Sequence, residues 1–153
     1  MGIKGQVYEK AVHNPEWLNS RAGERICIRV SGSQTASAYS VTEIVSSPGD
    51  GTRVHIHHNE DEHFFILEGT VHFLYGEKEF DAAPGTFLSL CRGIAHAWVN
   101  CTEAPIRMLV LFTPGGCEEA LREIAQGADS TGISVISERY GISVVGPPLV
   151  SGR

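Results

Sequence analysis

The chain has 153 residues, 42% of them hydrophobic and 20% charged, which points to one globular domain with a core of its own. Twelve Lys and Arg against eighteen Asp and Glu leave a formal charge of −6. With no block of like charge, this argues against binding a phosphate backbone, and the longest apolar run, residues 108–112, is far short of a membrane span.

The first residues hold no apolar signal core, and Gln6 stands where a myristoylation signal carries Ser or Thr. Cys27, Cys91, Cys101 and Cys117 form neither a redox nor a paired-ligand spacing, so reduced thiols and a cytoplasmic location are expected. Residues 7–12 read as an orphan strand, which could add to the sheet edge of a second copy; a homodimer is the expectation. Beyond the break at Pro15-Glu16-Trp17, short apolar stretches alternate with Gly and Pro turns. Strands are predicted at 24–30, 37–46, 53–58, 62–67, 70–75, 78–82, 86–90, 95–100 and 106–112. Short strands at this spacing describe an antiparallel sandwich or barrel. A helix is predicted over 117–126, with Glu118 and Glu119 in its first turn, and a weaker one over 130–140. Residues 142–153 read as extended.

Six of the seven histidines lie between positions 55 and 96: His55, His57, His58, His63, His72 and His96. Imidazoles crowded beside Glu60, Asp61 and Glu62 suit a divalent transition ion. His55 and His57, two apart on a strand, leave the same face about 6.6 Å from each other. His58 then points the other way. The polar segment 58–61 reads as a hairpin connection, returning the chain so that a carboxylate at the start of the next strand faces the two imidazoles. Glu60 and Asp61 read as hairpin acids, and only a closed sheet could bring His96 to the same ion. Phe64 and Trp98 follow Glu62 and His96 by two residues, so parity turns them inward.

Gly49, His55, His57, Glu62 and Gly69 stand as G-x5-H-x-H-x4-E-x6-G, which resembles the first motif of the cupin superfamily. Gly85, Gly93, His96 and Asn100 are similar to the second motif, with Cys91 in place of its proline. The stretches 111–116 and 139–148 resemble the tail of small, single-domain, quercetin-dioxygenase-like cupins. The resemblance implies an all-β, antiparallel jelly-roll β-barrel over residues 34–113. Residues 1–33 form an N-terminal extension, with the strand that could be exchanged, and residues 114–153 a short helical tail packed on the barrel. It also implies one divalent transition metal per chain (Fe, Mn, Ni, Co or Zn), held by His55, His57, Glu62 and His96.

The expected function is a metal-dependent, dioxygenase-type oxidoreductase acting on a small oxygenated compound, aromatic or a hydroxy-ketone. Glu62 would serve as catalytic base, and Phe64, Trp98 and Met108 would contact the substrate. The alternatives are a metal-dependent isomerase, cyclase or decarboxylase, and a non-catalytic cupin that binds a metal and a small ligand. An inward set of Phe64, Trp98 and Met108 would suit an apolar aromatic ligand, whereas a sugar site would show more internal Arg, Lys and Asn. Cys91 is expected to be a buried, inert thiol.

Overall fold

The computed structural model describes residues 15–150. In chain order the strands are β1 (Leu18–Arg21), β2 (Glu24–Val30), β3 (Ser40–Ser46), β4 (Arg53–His57), β5 (Asp61–Glu68), β6 (Val71–Tyr75), β7 (Lys78–Ala82), β8 (Phe87–Leu90), β9 (His96–Val99) and β10 (Ile106–Thr113). Two helices follow, α1 (Glu118–Ile124) and α2 (Ser130–Arg139), and then β11 (Ile142–Pro148). All strand pairs are antiparallel. One sheet has the order β1-β2-β3-β10-β5-β8 and the other β11-β4-β9-β6-β7. From β3 to β6 and from β7 to β11 consecutive strands alternate between the sheets, and this closes the all-β jelly roll that the resemblance implies.

Period-two patterning builds the interior. On β5, Glu62, Phe64 and Ile66 are buried while His63 and Phe65 face outward; on β10, Ile106, Met108, Val110 and Phe112 are the buried set. These side chains meet Val71 and Phe73 from the opposite sheet, with Phe64 edge-on to Phe73 at 5.0 Å. Phe65 instead lies on the outer face near Phe87, with ring centroids 6.5 Å apart.

Backbone contacts set the ends of the barrel. Gly51 bridges to Val99, where a Cβ would stand 2.7 Å from Val99 Cα and closer still to the Trp98 carbonyl oxygen. Only glycine allows that approach. It lets Thr52 N–H donate to the Trp98 carbonyl at 2.8 Å, which holds Trp98 at the edge of the interior. On the far side, the fully buried Glu118 accepts from the N–H of Gly32 and, at 2.7 Å, from the N–H of Gly116. The predicted acidic first turn of α1 therefore anchors the tail to the barrel as well as complementing the helix dipole.

Three differences from the sequence reading follow. β1 was not predicted: four residues with one buried position give no periodic signal. Residues 142–148, read only as extended, form an edge strand paired with β4, so the tail completes a sheet. Cys91 is exposed, its N–H 3.2 Å from the Tyr75 hydroxyl, because the turn it occupies faces solvent. The strand expected at 7–12 lies outside the described residues. Among the described residues, no helix is long and apolar enough to cross a membrane.

Candidate metal centre

Register brings the three histidines together. His55 on β4 is the direct partner of His96 on β9, with ring centroids 4.4 Å apart. His57, two residues along β4, puts its ring 5.0 Å from His55 and 5.4 Å from His96. Glu62 comes from the other sheet, where β5 pairs it with Phe112 on one side and Leu90 on the other. Its Oε2 lies 2.8 Å from His96 Nε2 and 3.1 Å from His57 Nε2.

These four side chains fit a single metal ion. One donor atom from each lies within 4.8 Å of all the others. Opposite ligands on an ion with bonds of about 2.1 Å stand about 4.2 Å apart, so the span is of the right size. The tautomers are preset as well. His55 Nδ1 sits 2.7 Å from the Arg53 carbonyl, and His96 Nδ1 sits 3.1 Å from that of Ile94. A carbonyl can only accept, so each Nδ1 carries the proton and each Nε2 keeps a lone pair for the ion.

His57 has a different partner. Its Nδ1 is 2.8 Å from Glu60 Oε1 and 3.7 Å from Cys117 Sγ, at the N-terminus of α1. Glu60 is 5% exposed, so it is not the solvated hairpin acid that its position suggested. Its spacing of three from His57 puts it on the opposite face of a continuous strand, and only the turn geometry folds it back. Of the other histidines, His58 faces outward onto Ser143 Oγ at 2.8 Å, His63 bonds Ser89 and Thr113, and His72 pairs with Asp81.

The electrostatics are those of a site built around a cation. Burial opposes the charge on Glu62, yet His57 and His96 hold its carboxyl well below the usual range. Burial likewise opposes the charge on His57, but Glu62, with hydrogen bonds to Cys117 and Glu60, raises it well above 6.5. Burial and the charges of His96 and His57 lower His55 to about 4. Burial pushes the Cys117 thiol up to about 11.

One side of the cluster opens on a cavity of about 290 Å³. Its walls include Ile44, Trp98, Val110 and Phe112 from the barrel, Leu121 and Ile124 from α1, Ile133 from α2, and Ile142 and Val144 from β11. The last two are placed by pairing: Ile142 lies opposite His57 and Val144 opposite His55, and cross-strand partners share a face. Of the residues expected to contact substrate, Trp98 lines the cavity, while Phe64 and Met108 are fully buried in the core and do not. The cavity also takes in Arg21 and Glu24 from the β1–β2 hairpin, which carried no motif to mark them.

The family model described as the cupin domain matches residues 43–112. That segment resembles a cupin domain. The chain is 27% identical over 71 residues to mannose-1-phosphate guanylyltransferase 2 of Escherichia coli O157:H7, a match covering 46% of this chain and 15% of that protein. It spans, therefore, only a small part of the curated relative that it matches. Among solved structures, a sugar phosphate isomerase of the cupin superfamily from Silicibacter pomeroyi is 26% identical, with a TM-score of 0.54 and 61% of each chain covered. The polyketide cyclase RemF from Streptomyces resistomycificus is 20% identical, with a TM-score of 0.58 over 69% of this chain and 79% of that one. This last likeness is one of fold. All four candidate ligands lie inside the matched segment, whereas Arg21, Glu24 and the lining from α1, α2 and β11 lie outside it.

Proposed function

We propose that the protein is a metal-dependent, dioxygenase-type enzyme acting on a small, largely apolar compound that presents an oxygen pair, such as a catechol, diketone or hydroxy-ketone. The observation that carries this reading is the junction of four converging donors with a cavity whose remaining walls are mainly aliphatic and aromatic. His55, His57, Glu62 and His96 would hold the ion. When bound, it would supply Lewis acidity and, for Fe, Mn, Ni or Co, positions for substrate oxygen and O₂. Glu62, ionised and buried, accepts the proton of a substrate hydroxyl; a hydroxyl acidified by the ion needs only a weak base. Trp98, Val110 and Phe112 exclude water from the reacting oxygens.

A sugar phosphate suits these walls poorly. Among the described residues no lysine lines the cavity, and of the two arginines that do Arg21 is spent in ion pairs with Glu24 and Asp50, each at 2.8 Å. The second reading, a non-oxidative isomerase, cyclase or decarboxylase, draws on the likeness to the sugar phosphate isomerase and on the polar end that Arg21 and Glu24 give the cavity. Oxygen uptake by tag-free protein loaded in turn with Fe, Mn, Co, Ni and Zn, against a panel of phenols, diketones and hydroxy-ketones, tests the first reading. Metal-dependent oxygen consumption supports it. Anaerobic turnover, seen by NMR as exchange of substrate protons with D₂O, would favour the second.

A further inference from the structure

Glu24 opens β2 with its side chain turned inward; it is 2% exposed and lines the cavity that also takes in Glu62. Its Oε1 accepts from Ser20 Oγ, and its Oε2 pairs with Arg21 Nη2 at 2.8 Å. Arg21 in turn donates through Nε to Asp50 Oδ1 at 2.8 Å, and Asp50 Oδ2 accepts from Ser46 Oγ at 2.6 Å. The guanidinium lies over the Trp98 ring, 5.4 Å from its centroid. One cation thus stands against two carboxylates, so this end of the cavity carries a net negative charge, and Glu62 adds to it across the space. Burial raises the Glu24 carboxyl, which is the expected response of a carboxylate with too little compensation. Arg53, the other arginine on the lining, is exposed on β4.

A carboxylate in the wall of an otherwise apolar cavity is costly unless something donates to it. Each of its oxygens has a second lone pair free for a donor entering from the cavity. We infer that Glu24 is a specificity-determining residue: it accepts a hydrogen bond from a hydroxyl or ammonium at the end of the ligand remote from the metal ligands, and with Asp50 it rejects a ligand whose remote end is anionic. The inference rests on the reading that the ligand's oxygen pair is anchored at His55, His57, Glu62 and His96. The ligand is then two-ended, with an oxygen pair at one pole, a proton donor at the other and an apolar body between. The selecting group comes from the β1–β2 hairpin, outside the segment that matches the cupin model.

The test is calorimetric titration of the full chain, loaded with redox-silent Zn(II), with three catechols that share one metal-binding end. They are 3,4-dihydroxybenzyl alcohol, its benzylic methyl ether and 3,4-dihydroxybenzoate. The alcohol should bind about tenfold or more tightly than either of the others, the scale of one hydrogen bond to a charged group. In Glu24→Gln, which keeps the shape and removes the charge, the gap between alcohol and benzoate should shrink to about threefold or less, with Zn(II) affinity unchanged. Equal binding of all three by the wild-type protein overturns the inference and leaves the oxygen-pair reading standing, as does a gap that survives in Glu24→Gln. If none of the three binds, the oxygen-pair reading fails and takes the inference with it. Should Glu24→Gln not fold, the wild-type ranking alone decides.

Discussion

The two walls of the cavity are built by different means. The metal wall consists of residues inside the segment that matches the cupin model, fixed by strand register: His55 faces His96, His57 follows by two, and Glu62 crosses from the opposite sheet. The facing wall comes from flanking segments, with Arg21 and Glu24 on a hairpin, Leu121 and Ile124 on α1, Ile133 on α2 and Ile142 on β11. Register admits no adjustment, because a slip of one residue would turn a histidine to the other face. Helical and edge-strand lining can change side chain by side chain without moving a ligand. On the proposed function, the metal chemistry would sit on the first wall and the choice of ligand on the second.

The largest expected effect lies on the metal wall. His57→Ala should strip the metal, measured by elemental analysis of purified protein, because ligands on rigid strands cannot close the gap. Glu62→Gln should retain more metal than His57→Ala yet lose about a hundredfold or more in turnover. His58→Ala, whose ring faces outward, should leave occupancy unchanged. Loss of metal in His58→Ala but not in His57→Ala would sink the site.

A smaller effect belongs to the buried partner of His57. Glu60→Gln weakens the acceptor for Nδ1–H and should cost about 10–100-fold in metal affinity, read by competition with a chromophoric chelator. Unchanged affinity would mean that the Glu60 contact is incidental.

The metal-free protein should also show a stability maximum near pH 6.5. Between about pH 4 and 6.5 the unfolded chain binds a proton at His55 that the folded chain does not, so stability rises with pH. Above 6.5 the folded chain retains a proton on His57 that the unfolded chain releases, so stability falls as pH rises towards the elevated folded value. Glu62 adds a loss below its ordinary value of 4.5. Thermal melts in chelator across pH 4–9 would reveal this, and added Zn(II) should flatten the alkaline limb by taking the lone pair of His57. A Tm that climbs steadily from pH 6.5 to 8.5 without metal would contradict the assignment.

The smallest effect is on the facing wall. Leu121→Ala on half-buried α1 should cost about 1–2 kcal/mol in denaturant unfolding, below the range for a fully buried leucine, with metal affinity unaltered. A change in metal affinity would show that the two walls are not independent.

The His55–His57 face of the metal wall was legible in advance because strand parity is a local property. Two histidines two residues apart must share a face, and the predicted strands at 53–58, 62–67 and 95–100 match β4, β5 and β9 to within one residue at each end. Parity also turned Phe64 and Trp98 inward correctly, since both are buried, but it cannot distinguish the packed core from a cavity wall. Trp98 reaches the cavity because Gly51 and Thr52 hold its backbone at the barrel edge; Phe64 and Met108 lie beneath neighbours from both sheets.

What the sequence by itself determined is whatever repeats along a strand: the β-rich class, the inward face of β5, and the shared face of His55 and His57, to which the motif resemblance added Glu62 and His96. Only the tertiary structure decided what lies across the space from them. Glu60 reaches His57 through a turn, Cys117 reaches the same ring across sixty residues, and Ile142 lies opposite His57 because the tail returns as an edge strand. Arg21 and Asp50, twenty-nine residues apart, pair because the β1–β2 hairpin folds against the loop before β4. None of these contacts has a period, and a contact without a period leaves no trace in a single sequence until the chain closes on itself.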